Sequence, residues 1–448
     1  MVQLSLIIGA ATFAGLAAAA GTAWKSNIKN VVVLVEENRS YDTILGGLTY
    51  NSKLNNFIQL SSSFCNPVNT TNSSQGTICA AESALNVDPQ DPNHSISGVN
   101  MQLFGTFHPN ETLVAKYPTT PGKYQTMNGF VYEHAIAYKT TTSSKLHEVI
   151  DYYTPAHIPV MNSLAENFVS FSQWFAAVPG PTNPNRAYLT SGTSAGHGKN
   201  DAAFGVYGLT QKSIFQQLSE NNITWINYQN STTGAGLGFN PDADFYAWTK
   251  SSGASTTNVK GLNQFYTDAA AGKLPQFTYI NPECCSYQSF HPASSISNGE
   301  KFVKGIYQAL RSSPQWNNTL FILTFDEHGG FADHVPPLVG TLGVPAGDSI
   351  TYTETAPDGN PITFKFDRLG VRVPTFLISP WVASGAVEGV GSNNGNTYTH
   401  TSILNFLSEL WNLTPLTPRV SWSSTFEHLI LDTPRTNVIA NLPNPVEY

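Results

Sequence analysis

Unbroken apolar runs punctuate this chain, and several of them stop abruptly at a polar cluster. Residues 31–35 (Val-Val-Val-Leu-Val) show no polar alternation, the pattern of a strand buried on both faces. Comparable runs predict strands over 169–177, 224–228, 276–281, 320–325 and 373–379. Between them apolar residues recur at helical spacing. Val160, Leu164 and Phe168 mark a helix over 157–167, and Phe302, Ile306, Ala309 and Leu310 mark the clearest amphipathic helix, over 296–311. Helices are also expected over 213–221 and 401–411. Strands alternating with helices predict an α/β fold: a doubly wound, mostly parallel sheet with helices on both faces.

Two stretches fall outside this rhythm. Residues 50–130 are rich in Ser, Asn, Thr and Pro and read as a long loop-rich insertion or cap on a single domain spanning 21–448. Within it, 88–94 (Asp-Pro-Gln-Asp-Pro-Asn-His) is turn-rich and carries a histidine. Residues 4–20 are apolar and rich in small residues, which predicts a signal peptide over 1–20 with cleavage near 18–20. A membrane span is the rival reading, but the run is short for one.

Composition sharpens the compartment. Charged residues are 12%, aromatics 12%, and the net charge is −8, which argues for a neutral-surfaced exported protein and against a nucleic-acid partner. Asn-x-Ser/Thr sequons at Asn69, Asn72, Asn110, Asn222, Asn230, Asn317 and Asn412 fit an extracellular glycoprotein, with Asn38 expected to stay unmodified. The cysteines are Cys65, Cys79, Cys284 and Cys285. Their even number suggests two disulfides, with three pairings open; adjacent Cys284 and Cys285 rarely bond, and Cys65–Cys79 would close a short surface loop. No Cys-x-x-Cys supports a thiolate zinc site.

The candidate chemistry lies where strands end. In open α/β sheets ligands bind beyond the carboxyl ends of strands. The run 31–35 ends in Glu36, Glu37 and Asn38, and the run 320–325 in Asp326, Glu327 and His328. Oxygen ligands from Glu37, Asn38, Asp326 and Glu327 suit a hard or borderline divalent cation. Thr182 lies just before an expected helix with Pro184 in its first turn, so its hydroxyl meets the positive end of a helix. A metal beside that hydroxyl would make it a nucleophile. Histidines at 94, 291, 328, 334 and 400 could hold phosphate or protonate a leaving group. Each has a plainer reading: Thr182 as a helix cap, Asp326 as a turn former, Gly329-Gly330 as punctuation, a single histidine as structural.

Three motifs together resemble the phosphoesterase family of secreted non-specific phospholipases C and related acid phosphatases. They are Glu37-Asn38-Arg39-Ser40-Tyr41-Asp42; Gly180-Pro181-Thr182-Asn183-Pro184-Asn185-Arg186; and Asp326-Glu327-His328-Gly329-Gly330-Phe331-x-Asp333-His334-Val335-Pro336-Pro337. Residues 367–374 and 399–402 fit the family's C-terminal part, so the resemblance runs from about residue 29 to about 419. It implies an alkaline-phosphatase-like fold and a phosphoesterase catalytic domain. It also implies one or more divalent metals on Glu37, Asn38, Asp326 and Glu327, with Thr182 as nucleophile. His94, His291, His334 and Arg186 would complete the catalytic set, and Asn185, His328 and His400 would contact substrate. The chain departs from the family pattern at Tyr41, Thr43 and Phe290.

The expected activity is a secreted, extracellular or cell-wall-associated phospholipase C. It would release diacylglycerol and a phosphorylated head group through a phospho-threonine, with transient contact at a membrane surface and no protein partner. An acid phosphatase acting on monoesters is the alternative. A non-catalytic glycoprotein that binds phosphate-bearing ligands is the reading from another class.

Overall fold

The computed structural model describes residues 23–116, 124–230, 241–282, 288–338, 344–345, 348–389 and 397–448. The expected signal peptide and both Cys284 and Cys285 lie outside the described residues. Among the described residues the strands, in chain order, are β1 Asn30–Glu36, β2 Cys65–Pro67, β3 Thr77–Cys79, β4 Val169–Phe171, β5 Trp174–Phe175, β6 Trp225–Gln229, β7 Val259–Gly261, β8 Phe277–Asn281, β9 Thr319–Phe325, β10 Tyr352–Thr355, β11 Pro361–Phe364, β12 Thr375–Ile378, β13 Ala386–Glu388 and β14 Tyr398–Thr399.

Eight of them form one sheet in the order β13-β4-β12-β9-β1-β8-β6-β7. Every neighbouring pair is parallel except those made by β12, which runs against both β9 and β4. The sheet is therefore mostly parallel, as the sequence pattern requires. β1 and β9 sit side by side near its middle, and all seven residues of each are buried. That is why neither shows polar alternation.

Two expected strands are altered. The run 169–177 breaks at Ser172 into β4 and β5; the Ser172 amide donates to Glu388 O (2.8 Å), and β5 pairs instead with β14. The run 373–379 starts late, at Thr375, because Pro374 has no N–H for the ladder.

The helix Ile296–Ser312 begins where expected. Ser295 caps it by accepting from the Asn298 amide (3.3 Å), and Phe302, Val303, Ile306, Tyr307 and Leu310 face the core. The segment 50–130 holds more order than its composition suggests. It contains the β2–β3 hairpin, clipped by a Cys65–Cys79 disulfide, and the helix Ile96–Phe104. All nine residues of that helix are buried, so it has no polar stripe for periodicity to reveal. Its Val99 and Leu103 join Phe57, Phe130, Leu146 and Ile150 in an apolar cluster of their own. No helix among the described residues is long and apolar enough to cross a membrane.

One buried carboxyl ties two helices together. Glu300 accepts a hydrogen bond from the Met161 amide (2.8 Å) in the helix Pro159–Asn167, and burial pushes its pKa up to about 8. A carboxyl with a raised folded-state pKa contributes stability that is complete below its unfolded value and is lost as pH rises through the folded value. Urea unfolding across pH should therefore show the wild type losing about 2–5 kcal/mol, relative to Glu300→Gln, between roughly pH 4.5 and pH 8. The Gln variant keeps the acceptor and should lack this slope.

Candidate active site

The site begins where β1 and β9 end. Glu36 pairs with Phe325, so Glu37-Asn38 and Asp326-Glu327 leave the sheet side by side. The chains stay bonded beyond the strands: Asp326 N to Glu36 O (3.1 Å) and Arg39 N to Glu327 O (3.1 Å). Asp326 Oδ1 accepts from the amides of Asn38 (3.2 Å) and Glu327 (2.7 Å). Asn38 turns sharply at φ +70°. Gly329 is more than punctuation here. At φ +65° it lies so close that a Cβ would stand 2.3 Å from Asn38 O.

The helix Thr182–Ser191 supplies the hydroxyl. Pro181 occupies its N-cap position, so Thr182 is the first helical residue rather than the one before it. Thr182 and Arg186 are four apart and share a helix face. Arg186 Nε donates to Asp326 Oδ2 (2.9 Å), and Nη2 donates to Val35 O (3.3 Å) and lies 3.5 Å from Glu37 Oε1. Nη1 is 3.6 Å from Asp242 Oδ2. The helix that begins with Thr182 is thereby held against the strand ends, with the positive end of its dipole toward the acidic cluster.

Negative charge is in excess there. Glu36, Glu37, Asp242, Asp326 and Glu327 are all buried, facing Arg186 and His94. Burial, reinforced by Glu37 and opposed by Arg186, pushes Asp326 up to about 6. Burial pushes Glu327 up to about 8, with His94 opposing and Asp326 reinforcing. Burial would lower His94, but Glu327 and Asp91 outweigh it and hold it at about 9. Glu37 Oε2, Asn38 Oδ1 and Glu327 Oε1 are buried and without a hydrogen-bond partner. Buried, unsatisfied oxygens in a negative pocket fit a divalent cation, which would satisfy both the lone pairs and the charge. Glu36 is also buried, but it follows the opposite pleat from Glu37, and burial raises its pKa well above the ordinary carboxylate value.

Two histidine-bearing loops close over this floor. Arg39, fully buried, bonds Asp88 Oδ2 (2.5 Å) and Phe290 O (2.9 Å), tethering both loops to the end of β1. His94 Nε2 then lies 3.6 Å from Glu327 Oε1. Asp91 links the loops: it accepts from Asn38 Nδ2 (2.9 Å), with His291 Nε2 at 3.6 Å and His94 Nδ1 at 3.8 Å. Asp91 and Asp242 were missed by the sequence reading. Asp91 sits inside the 88–94 stretch noticed only for its histidine. Asp242, which accepts from Tyr279 Oη (2.6 Å) and Asn281 Nδ2 (2.9 Å), has no motif around it.

Several expected roles need correction. Asn185 is fully buried, and its side chain holds the turn before Thr182 through Val178 N (3.0 Å) and the carbonyls of Val178, Gly180 and Pro181 (3.2, 2.9 and 3.2 Å). It shapes the turn rather than touching substrate. Arg186 donates to Asp326 and to the Val35 carbonyl and faces Glu37 and Asp242, so it braces the acidic cluster. His328 is buried on Gln102 Oε1 (2.8 Å). His400 is fully buried with Nε2 on the Asp326 carbonyl, and burial lowers it to about 4. Both histidines brace the floor from behind.

His334 belongs to a separate cluster with Asp42 and Asp333, whose ligating atoms all lie within 4.8 Å of one another. His334 Nδ1 is 2.6 Å from Asp42 Oδ2, and Arg372 donates to Asp42 Oδ2 (3.0 Å) and Asp333 Oδ1 (2.9 Å). The Arg372 guanidinium offsets part of the charge of this group and leaves one buried oxygen, Asp42 Oδ1, without a hydrogen-bond partner, against three at the Glu37 cluster. At the departures from the family pattern, Tyr41 Oη donates to Leu54 O (2.7 Å), Thr43 bonds Ser40 (2.8 Å), and Phe290 is buried.

If Asn185 shapes the turn, Asn185→Ala should lower the unfolding free energy in urea by about 2 kcal/mol, since several buried bonds vanish together. A residue that only contacts substrate would raise KM and leave stability unchanged.

The phosphoesterase family model matches residues 28–414. Over 445 residues the chain is 39% identical to Non-specific phospholipase C6 of Arabidopsis thaliana, covering 94% of this chain and 76% of that protein. It is 35% identical over 431 residues to Non-specific phospholipase C3 of the same plant, covering 93% and 76%. Among solved structures, a protein in the alkaline phosphatase superfamily from Vibrio parahaemolyticus overlays with a TM-score of 0.35 at 11% identity, covering 60% of this chain and 63% of that one, too slight a likeness to argue from. With nearly the whole chain matched by the family model and by these relatives, the chain belongs to the phosphoesterase family and is a phosphoric ester hydrolase.

Proposed function

We propose that this hydrolase is a metal-dependent phospholipase C that cleaves the glycerol-side bond of a phospholipid through a phospho-threonine. The observation that carries the proposal is the set of unsatisfied buried oxygens on Glu37, Asn38 and Glu327, beside Asp326, to which Arg186 of the helix that begins with Thr182 donates. The names of the relatives, non-specific phospholipases C, support the substrate class. Glu37, Asn38, Asp326 and Glu327 would hold the cation. A divalent ion bound there would lower the pKa of a neighbouring hydroxyl and offset phosphate charge.

Thr182 Oγ1, its proton released to solvent, attacks phosphorus in line, and the bond from phosphorus to the glycerol oxygen breaks. The departing diacylglycerol alkoxide takes a proton from His94 or His291. His94 suits this role because Glu327 and Asp91 keep it protonated at neutral pH. The positive end of the Thr182–Ser191 helix would offset charge on the phosphoryl oxygens. Water then attacks the phospho-threonine, releases the phosphorylated head group and restores Thr182.

We also read the protein as exported. The Cys65–Cys79 disulfide fits an oxidising compartment. Asn72, Asn110, Asn222, Asn317 and Asn412 are exposed, whereas the Asn38 sequon is buried.

Purified protein should carry divalent metal by elemental analysis and release diacylglycerol from phosphatidylcholine faster than it hydrolyses p-nitrophenyl phosphate. Thr182→Ala should cut kcat by at least about 10³-fold while retaining the metal. Near-wild-type turnover in that variant would sink the nucleophile assignment. Preference for the monoester would move the substrate to the acid phosphatase class.

A further inference from the structure

The most exposed large apolar side chains among the described residues are Val206 and Tyr207, at 72% and 76%. They form the tip of the turn Gly205-Val206-Tyr207-Gly208, and the tip is braced. Both their amides donate to Ala202 O (2.9 and 3.2 Å), and the Gly208 amide donates to Ala203 O (3.0 Å). Lys250 Nζ donates to Gly205 O. Beneath it Phe204 is 1% exposed and packs edge-on against Phe245, with ring centroids 5.3 Å apart. A third exposed apolar side chain, Ile350 at 56%, lies against Gly196, where a Cβ would stand 2.1 Å from Ile350 Cγ1.

Both legs of the turn are tied to the active site. On the incoming leg, Asn200 Oδ1 accepts from the Asn183 amide (2.8 Å), in the first turn of the Thr182 helix. On the outgoing leg, Leu209 N donates to Phe245 O (2.7 Å), and the turn Asp242–Phe245 starts at the carboxylate that pairs with Arg186. The tip is therefore fixed relative to Thr182.

Three apolar side chains are far too few for a protein partner, whose interface needs about 1,000 Å². They suit a bilayer surface, where a few apolar groups enter the headgroup region, a tyrosine sits at that depth and a lysine amine stays in water. Lys199 and Lys250 are exposed beside the same segments. We propose that Val206, Tyr207 and Ile350 form an insertion wedge that seats the enzyme on a phospholipid bilayer with the Thr182 site close to the headgroups. This rests on the phospholipase reading above for its purpose, though not for its geometry.

The test is co-sedimentation of full-length protein with phosphatidylcholine vesicles, beside turnover of vesicles and of monomeric dihexanoyl-phosphatidylcholine. The double variant Val206→Ser/Tyr207→Ser, and separately Ile350→Ser, should bind vesicles less, by about tenfold or more for the double variant. Turnover of the monomeric lipid should stay within about twofold, since the substitutions are on the surface. Equal vesicle binding by wild type and double variant would overturn the wedge, as would wild type that does not sediment. So would gel filtration showing a wild-type dimer that the double variant converts to monomer, which would assign the tip to self-association. Vesicle binding that the double variant loses, with no diacylglycerol from either lipid, would uphold the wedge and reject the phospholipase reading.

Discussion

The constraint on which this structure depends is buried negative charge at the ends of two adjacent strands. Nothing in a mostly parallel sheet favours carboxylates at its centre, and burying them unpaired is costly. Arg186 makes the arrangement tenable by reaching Asp326, Glu37 and Asp242 with one planar guanidinium. Because Arg186 belongs to the helix that starts with Thr182, the same contact sets the position of the hydroxyl. Charge compensation and placement of the helix that begins with Thr182 are one interaction.

The compensation is deliberately incomplete in physical terms: it leaves oxygens on Glu37, Asn38 and Glu327 without partners and raises the affinity of Asp326 and Glu327 for protons. Unsatisfied buried oxygens and excess negative charge are the conditions that favour a divalent cation. Arg39 and Arg372 repeat the device at the periphery. Arg39 ties the two loops bearing His94 and His291 to the end of β1, and Arg372 locks Asp42 to Asp333. The second case shows the contrast. There an arginine and His334 share one Asp42 oxygen, and only the second Asp42 oxygen is left without a partner.

Much of this was legible in the sequence. The runs that became β1 and β9 are apolar because both faces are covered, and their polar ends fall together because parallel neighbours end at one edge of the sheet. Roles were harder to read than places. Asn185, His328 and His400 lie around the site, but a sequence does not say whether a polar side chain points into a cavity or into the wall behind it. Asp91 and Asp242 were invisible because turns bring them in, and turns carry no periodicity. The helix Ile96–Phe104 was hidden by being buried on all sides.

The low charge content also takes on a different meaning. At 12%, charged residues suggested a neutral surface. In the fold, Arg39, Arg186, Arg372 and Arg419 are almost fully buried, as are Glu36, Glu37, Asp42, Asp326, Glu327 and Asp333. A chain with few charges has therefore placed many of them inside, where low dielectric makes each one count in shaping the site. The braced turn at Val206 and Tyr207, by contrast, holds apolar groups rigidly out in water on a segment tied to the Thr182–Ser191 helix.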